Sequence, residues 1–338
     1  MHVRSLIRIP VFLLCLLPLG GCLFRSHSVE RKISSATLKD ATKEELIERI
    51  NSEAAKVQTL NATVDISPAV GGTKKGKVTE YQEIRGYILV RKPAMLRMIG
   101  LFPIVRNRAF DMVSDGETFK VSVPVKNRFI IGRNDVVHPT GSALENIRPQ
   151  HIFDALLLHE IDGAKEAAFL EAGTEQVEDP RSKKKVDEAT YEVGVLDRDP
   201  DPKIGWYLSR RVIFSREDLL PHRQIVYDKF GNIATDAKYD DFQIYDGVNF
   251  PSTIDIWRPQ EEYSIILKIV KLNLNQPMED AKFDLPQPPG AEVVRLDLPP
   301  GSPGAPGNPA LNLKSKDKPP APRPEKKQDK KDSSSPGS

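Results

Sequence analysis

Cysteine is nearly missing from this chain, with only Cys15 and Cys22 among 338 residues. That excludes a disulfide framework, so an apolar core must hold the fold. Charge of one sign is missing too, since 49 Lys and Arg stand against 47 Asp and Glu. A global basic footprint for nucleic acid is therefore absent. The motifs of enzymes are also lacking. No GxSxG, HExxH or P-loop pattern occurs, and His27, His138, His151, His159 and His222 have no metal-ligand spacing. The acidic pairs Asp240-Asp241 and Glu261-Glu262 fall in turn or edge contexts and read as solvated carboxylates. Neither catalysis, a metal nor a cofactor is expected. The apolar stretch from Val11 to Leu19 is too short to span a bilayer.

That stretch nevertheless has a purpose. Arg4 and Arg8 precede it and Leu19-Gly20-Gly21-Cys22 closes it, the order of a secretory signal peptide. Its end resembles the lipobox of bacterial lipoproteins: Leu, two small residues, Cys. The resemblance implies removal of residues 1–21, loss of Cys15 with them, and acylation of Cys22, whose thiol then cannot pair. Several acyl chains on one cysteine anchor a protein stably without crossing the membrane. Leu23 follows where some bacteria place an inner-membrane retention aspartate, so the implied location is the periplasmic face of the outer membrane.

Residues 22–39 are polar and without periodicity, a tether with a mean reach of roughly 20–25 Å. From Pro299 to Ser338 the chain is dominated by Pro, Gly and Ser, with eight Lys or Arg against four Asp or Glu. This tail is expected to be disordered, either as a basic arm for an acidic partner or as a solvated appendage.

Residues 40–298 carry the folded pattern. Thr42 and Glu45 form a capping box ahead of Leu46, Ile47, Ile50, Ala54, Val57 and Leu60, which predicts an amphipathic helix of about five turns. The period then falls to two. Strands are predicted at 62–66, 78–91, 95–99, 108–113, 118–123 and 128–131, and again at 191–196, 206–214, 221–227, 233–239, 250–257 and 263–272. Gly71-Gly72, Asp115-Gly116, Gly231-Asn232 and Asp246-Gly247 supply turns. Arg148-Pro149 opens a second helix, 150–159. Residues 173–187, with Lys183, Lys184 and Lys185, read as a charged loop. The fold class is mainly β with a few helices: an open antiparallel half-barrel closed by helices around an apolar cavity.

Three segments occur in order, GYILVRKPAMLR at 86–97, VSDGETFKVSVP at 113–124 and KFDLPQPPG at 282–290. They resemble the lipoprotein localization factors, the LolA and LolB superfamily, over roughly Leu46 to Val294. The resemblance implies a periplasmic protein whose cavity accepts the acyl chains of lipoproteins or a phospholipid. It also implies a possible soluble periplasmic carrier as partner. The cavity lining would be Ile88, Val90, Leu96, Met98, Phe110, Met112, Phe119 and Val121. The helix with Ile152, Phe153, Leu156 and Leu157 resembles the family's lid. Lys92 stands where the soluble carrier has an arginine that fastens the lid, and it keeps the charge but loses the planar donor fork. The anchored receptor has a membrane-dipping loop between the strands matching 95–99 and 108–113. Here that place holds the apolar run 100–105, with Leu101 and Phe102 as contact residues rimmed by Arg97, Arg106 and Arg108. Alternatively, Leu101 and Phe102 fold back into the core. A second reading keeps the fold as an envelope interaction or sensor module without transport.

Overall fold

The computed structural model describes residues 36–74, 76–135, 147–178 and 184–298. The expected signal peptide, Cys22, most of the expected tether and the tail from Pro299 lie outside the described residues.

Helix α1 (Lys43–Lys56) starts as the sequence requires. The Thr42 amide donates to Glu45 Oε2 at 2.8 Å and the Glu45 amide donates to Thr42 Oγ1 at 3.2 Å, so each orphan donor of the first turn is met reciprocally. At 14 residues the helix has about four turns rather than five. It stops early because side chains take over its end. Asn275 Nδ2 donates to the Lys56 carbonyl, Lys92 Nζ to Ala54 and Gln58 Nε2 to Ala55, while the Gln58 amide donates to Asn275 Oδ1. Leu60 accordingly belongs to the following strand.

In chain order come β1 (Thr59–Gly72), β2 (Lys77–Glu80), β3 (Ile84–Arg91), β4 (Met95–Leu101), β5 (Arg108–Ser114), β6 (Thr118–Val123) and β7 (Arg128–Arg133), then helix α2 (Pro149–Leu156). They are followed by β8 (Ala167–Glu178), β9 (Lys185–Arg198), β10 (Trp206–Ser215), β11 (Pro221–Tyr227), β12 (Ile233–Tyr245), β13 (Val248–Arg258), β14 (Tyr263–Leu274) and β15 (Glu292–Arg295). The described chain is thus mainly β, with two α-helices and an open, largely antiparallel sheet. Strand β15 runs parallel to β7.

The described residues fall into two compact units, one drawn from residues 36–53 and 159–240 and the other from residues 54–158 and 241–298. In the first, β12, β11, β10, β9 and β8 are neighbours in that order. The charged excursion expected over 173–187 is instead two paired strands, with Glu178 opposite Lys185 and Glu175 opposite Glu188. Charge hid the strand alternation there. Arginines from β10 and β11 offset the like charges that face each other. Arg211 bonds Glu192 at 2.9 Å, and Arg223 spans Glu175 and Asp236. Lys183 lies outside the described residues.

In the second unit the order is β15-β7-β6-β5-β4-β3-β1-β14-β13, with β2 also paired to β1. Helix α2 packs against β4, β5 and β13. Four strand spacings separate β4 from β13, roughly 19 Å on a flat sheet. This sheet therefore curls around α2.

The outer face of the same sheet carries a strap formed by the residues after β14. Arg97 binds Asp111 through two bonds of 3.0 and 2.8 Å and also donates to the Lys282 carbonyl at 2.8 Å. Arg91 donates to the Met278 carbonyl at 2.8 Å and lies 5.2 Å over the ring of Phe283. Beneath the strap, Leu285 packs with Val113 and Phe129. The KFDLP segment is thus a clasp, and β5 is buried on both faces.

Candidate functional site

Strand alternation places one set of side chains on the inner face of the curled sheet, and the register turns that set into rows. Ala62 lies opposite Ile88, Ile88 opposite Met98, Met98 opposite Met112, Met112 opposite Val121, and Val121 opposite Ile130. A second row runs through Leu60, Val90, Leu96, Ser114 and Phe119. A third passes through Val64, Gly86, Gly100 and Phe110. All eight residues anticipated as a lining share this face. Seven of them are buried and Phe110 is half-buried.

Glycine shapes the face at two points. A Cβ on Gly100 would stand 2.4 Å from the Phe110 ring, and one on Gly132 would stand 2.4 Å from the Phe119 ring. Both rings lie across a neighbouring strand and fill part of the concavity themselves.

Helix α2 covers this surface. Ile152, Phe153 and Leu156, anticipated as a lid, are buried, as is Leu157 just beyond the helix. The Lys92 ammonium donates to the Ala54 carbonyl in the last turn of α1, where the helix dipole favours a cation.

The apolar run after β4 has two differently placed parts. Leu101 still pairs with Arg108 at the strand end, and Leu101 and Phe102 are half-buried. The exposed residues of the hairpin tip are Ile104, 98% exposed, and Val105, 65% exposed. Ile104 also holds a φ of 69°, which is sterically costly for a β-branched side chain. Residue type alone did not separate the pair at the tip from the pair at the strand end.

A polar cluster at the end of this face was not anticipated. On β13 and β14, the pair Ile256–Ile265 is followed by the pair Arg258–Tyr263 on the same face. Arg258 is buried and bonds Glu261 at 2.7 and 3.2 Å. Arg148, just before α2, is buried with its guanidinium 5.0 Å over the Phe119 ring. Its charge acts on Tyr263, Glu261 and Arg258, and burial lowers its affinity for a proton. Burial pushes Tyr263 up to about 12. Glu261-Glu262 is therefore not a solvated pair, since Glu262 is buried and accepts the Lys74 amide at 2.5 Å.

Burial, helped by the nearby charges of Arg258 and Arg148, holds His151 well below the ordinary imidazole range. A base whose folded pKa is depressed favours the unfolded chain in acid. Its contribution is complete above about 6.5, the unfolded value, and is lost as pH falls below it, by up to about 1.4 kcal/mol per pH unit. Urea unfolding at a series of pH values should show a smaller acid loss for His151→Phe than for the wild type. Equal losses would mean that His151 titrates normally.

No family model matches the chain, and no curated protein matches it. Solved structures do. A DUF1329 family protein from Desulfovibrio piger aligns at 16% identity over 72% of this chain and 95% of that one, with a TM-score of 0.46. A LolA superfamily protein from Nitrosomonas europaea aligns at 13% identity over 71% and 97%, with a TM-score of 0.42. An outer membrane lipoprotein-sorting protein domain from Vibrio parahaemolyticus aligns at 12% identity over 72% and 97%, with a TM-score of 0.44. At these identities and TM-scores the likeness assigns this chain neither a family nor a role. Among the described residues, no helix is long and apolar enough to cross a membrane, and no group of three or more His, Cys, Asp or Glu is placed to hold a metal ion.

Proposed function

We propose that this protein is a non-catalytic envelope lipoprotein, anchored through Cys22 to the periplasmic face of the outer membrane. It binds acyl chains of lipoproteins, or of phospholipid, on the inner face of its second unit. The observation that carries the reading is the continuous apolar surface from Ala62 to Ile130, covered by a helix of eight residues.

The magnitudes suit an exchange. An acyl chain of about 15 methylenes gains roughly 12 kcal/mol on burial, and exposing four large apolar side chains costs roughly 6–12 kcal/mol. Ile152, Phe153, Leu156 and Leu157 are four such side chains, so a chain can replace α2 without nucleotide, and cargo moves down an affinity gradient. Ile104 and Val105, with Arg106 and Arg108 beside them, suit contact with an anionic bilayer surface.

The rings of Phe110 and Phe119 support a second reading. They fill part of the inner face, as an interaction or sensor module without cargo would require. A bound fluorescent fatty acid distinguishes the two. Under the carrier reading an acylated lipoprotein peptide displaces it and the deacylated peptide does not. Failure of the full chain to bind the probe or the acylated peptide would reject acyl binding.

A further inference from the structure

Strand β8 ends the strand order of the first unit: it pairs with β9 along one edge and, among the described residues, with no strand along the other. This free edge is 12 residues long and holds no proline, lysine or arginine, and its ladder with β9 runs from Ala167 to Glu178 without a bulge. The usual devices that keep an exposed edge from pairing are therefore absent from β8. Every second residue offers its N–H and C=O outward.

The side chains beside the edge define the strand that suits it. Gly173 lies opposite Thr190, Glu171 opposite Glu192 and Glu175 opposite Glu188, so these residues share one face. Thr190 is 3% exposed, yet its Oγ1 has no hydrogen-bond partner. Glu192 gives Oε2 to Arg211 at 2.9 Å and turns Oε1 toward Gly173. A Cβ on Gly173 would stand 2.5 Å from that oxygen and 3.0 Å from Thr190 Oγ1. The missing side chain is what lets both oxygens lean over the edge strand. Arg211 also lies 3.5 Å from Glu171, Arg223 is shared between Glu175 and Asp236, and Ser215 Oγ donates to Glu188. The four glutamates of this face thus have two guanidiniums between them. A hydroxyl and a carboxylate oxygen at one point suit a cationic N–H donor, and no group of metal-ligating side chains is placed there among the described residues.

A strand added to the edge brings such a donor. Its residue facing Gly173 sets a side chain on this face, and alternate residues to either side face Glu171 and Glu175. A second copy pairing antiparallel about Gly173 would instead set Glu171 against Glu175, like charges that oppose the contact. We infer that the free edge of β8 takes up an extended segment of a partner protein with lysine at alternate positions, its central ammonium lying over Gly173 against Thr190 Oγ1 and Glu192 Oε1. Main-chain bonds supply the affinity of such an addition and the alternate side chains its specificity. It does not depend on acyl binding.

The test offers the full chain, carrying Cys22→Ser to prevent acylation, an end-blocked peptide Thr-Lys-Val-Lys-Thr-Lys-Val and a peptide of the same composition with its lysines consecutive. The alternating peptide should bind about tenfold more tightly in calorimetric titration, and its binding should slow hydrogen exchange at every second amide of β8. Gly173→Val and Glu192→Gln should each bring the ratio below about threefold. Thr190→Val should keep the urea midpoint of unfolding, since a hydroxyl without a partner has no bond to lose; a lowered midpoint would mean that the hydroxyl is already engaged, and overturns the site. Equal binding of the two peptides, binding that leaves β8 exchange unchanged, or no binding of either overturns the inference. Amides of β8 protected along the outer edge before any peptide is added would give that edge to a second copy or to the chain itself, and overturn the partner. Should Gly173→Val not fold, Glu192→Gln and the comparison of the two peptides decide.

Discussion

Phe153→Ala is expected to lower the free energy of unfolding by about 3–5 kcal/mol, and to loosen α2 before the rest of the second unit. Phe153 is 1% exposed, between Ile152 at 1% and Leu156 at 5%. The helix has eight residues, and Arg148 at its N-cap makes no side-chain capping bond. A helix this short has no stability of its own in water, so burial of its apolar side is what holds it. Removing the ring takes away the largest part of that burial and leaves a void beneath α2. Urea unfolding measures the loss, and hydrogen exchange locates it. A loss below about 1 kcal/mol would show that α2 is not held by this contact. Under the carrier reading, the variant also binds an acyl probe more tightly, because less apolar surface must be exposed to admit the chain.

Arg97→Ala is expected to cost about 3 kcal/mol, at the low end of the range for breaking a buried ion pair. Asp111 is 1% exposed, and Arg97 gives it two bonds. Arg108 remains at 3.0 Å, which keeps the carboxylate from being abandoned altogether. The same guanidinium also holds the Lys282 carbonyl, so the strap loses a clasp. Hydrogen exchange should rise over residues 278–285, ahead of β1 and β14. Arg97→Lys should recover little, since one ammonium cannot hold both carboxylate oxygens and a carbonyl on the strap. Full recovery by lysine would show that charge, not the forked geometry, holds the clasp.

Much of the β architecture was legible in period-two alternation. The boundaries of β6 and β11 match the expected ones, and Gly116, Gly231 and Gly247 all take the positive φ that their turns predict. The inner face was legible for the same reason: alternation fixes which side chains share a face, and Ile88, Val90, Leu96 and Met98 follow from it directly. Three features were not legible. The β8–β9 hairpin was hidden because Glu171, Glu175, Glu188 and Glu192 make strands look like a loop until Arg211 and Arg223 arrive from distant strands to offset them. The short parallel β15 follows a proline-rich segment and takes its place only through β7. The Arg148–Arg258 cluster joins residues more than a hundred positions apart in sequence, and its only local trace is an arginine ending an alternating apolar run. The three segments that carry the family resemblance do meet. Arg91 and Arg97 of the first hold Met278, Asp280 and Lys282 beside the third, and Gly116 of the second lies against Ala94 of the first.

The most direct test of acyl binding is native mass spectrometry of the full chain, purified from bacterial cells with Cys22→Ser so that no acyl chain is covalent. Met98→Glu serves as the control that places a charge on the inner face, with circular dichroism to verify its fold. The account predicts a noncovalent acylated adduct on the parent chain and none on a folded Met98→Glu protein. A parent chain that is empty, and stays empty when offered an acylated lipoprotein peptide, would contradict acyl binding and leave the interaction module as the reading of this fold.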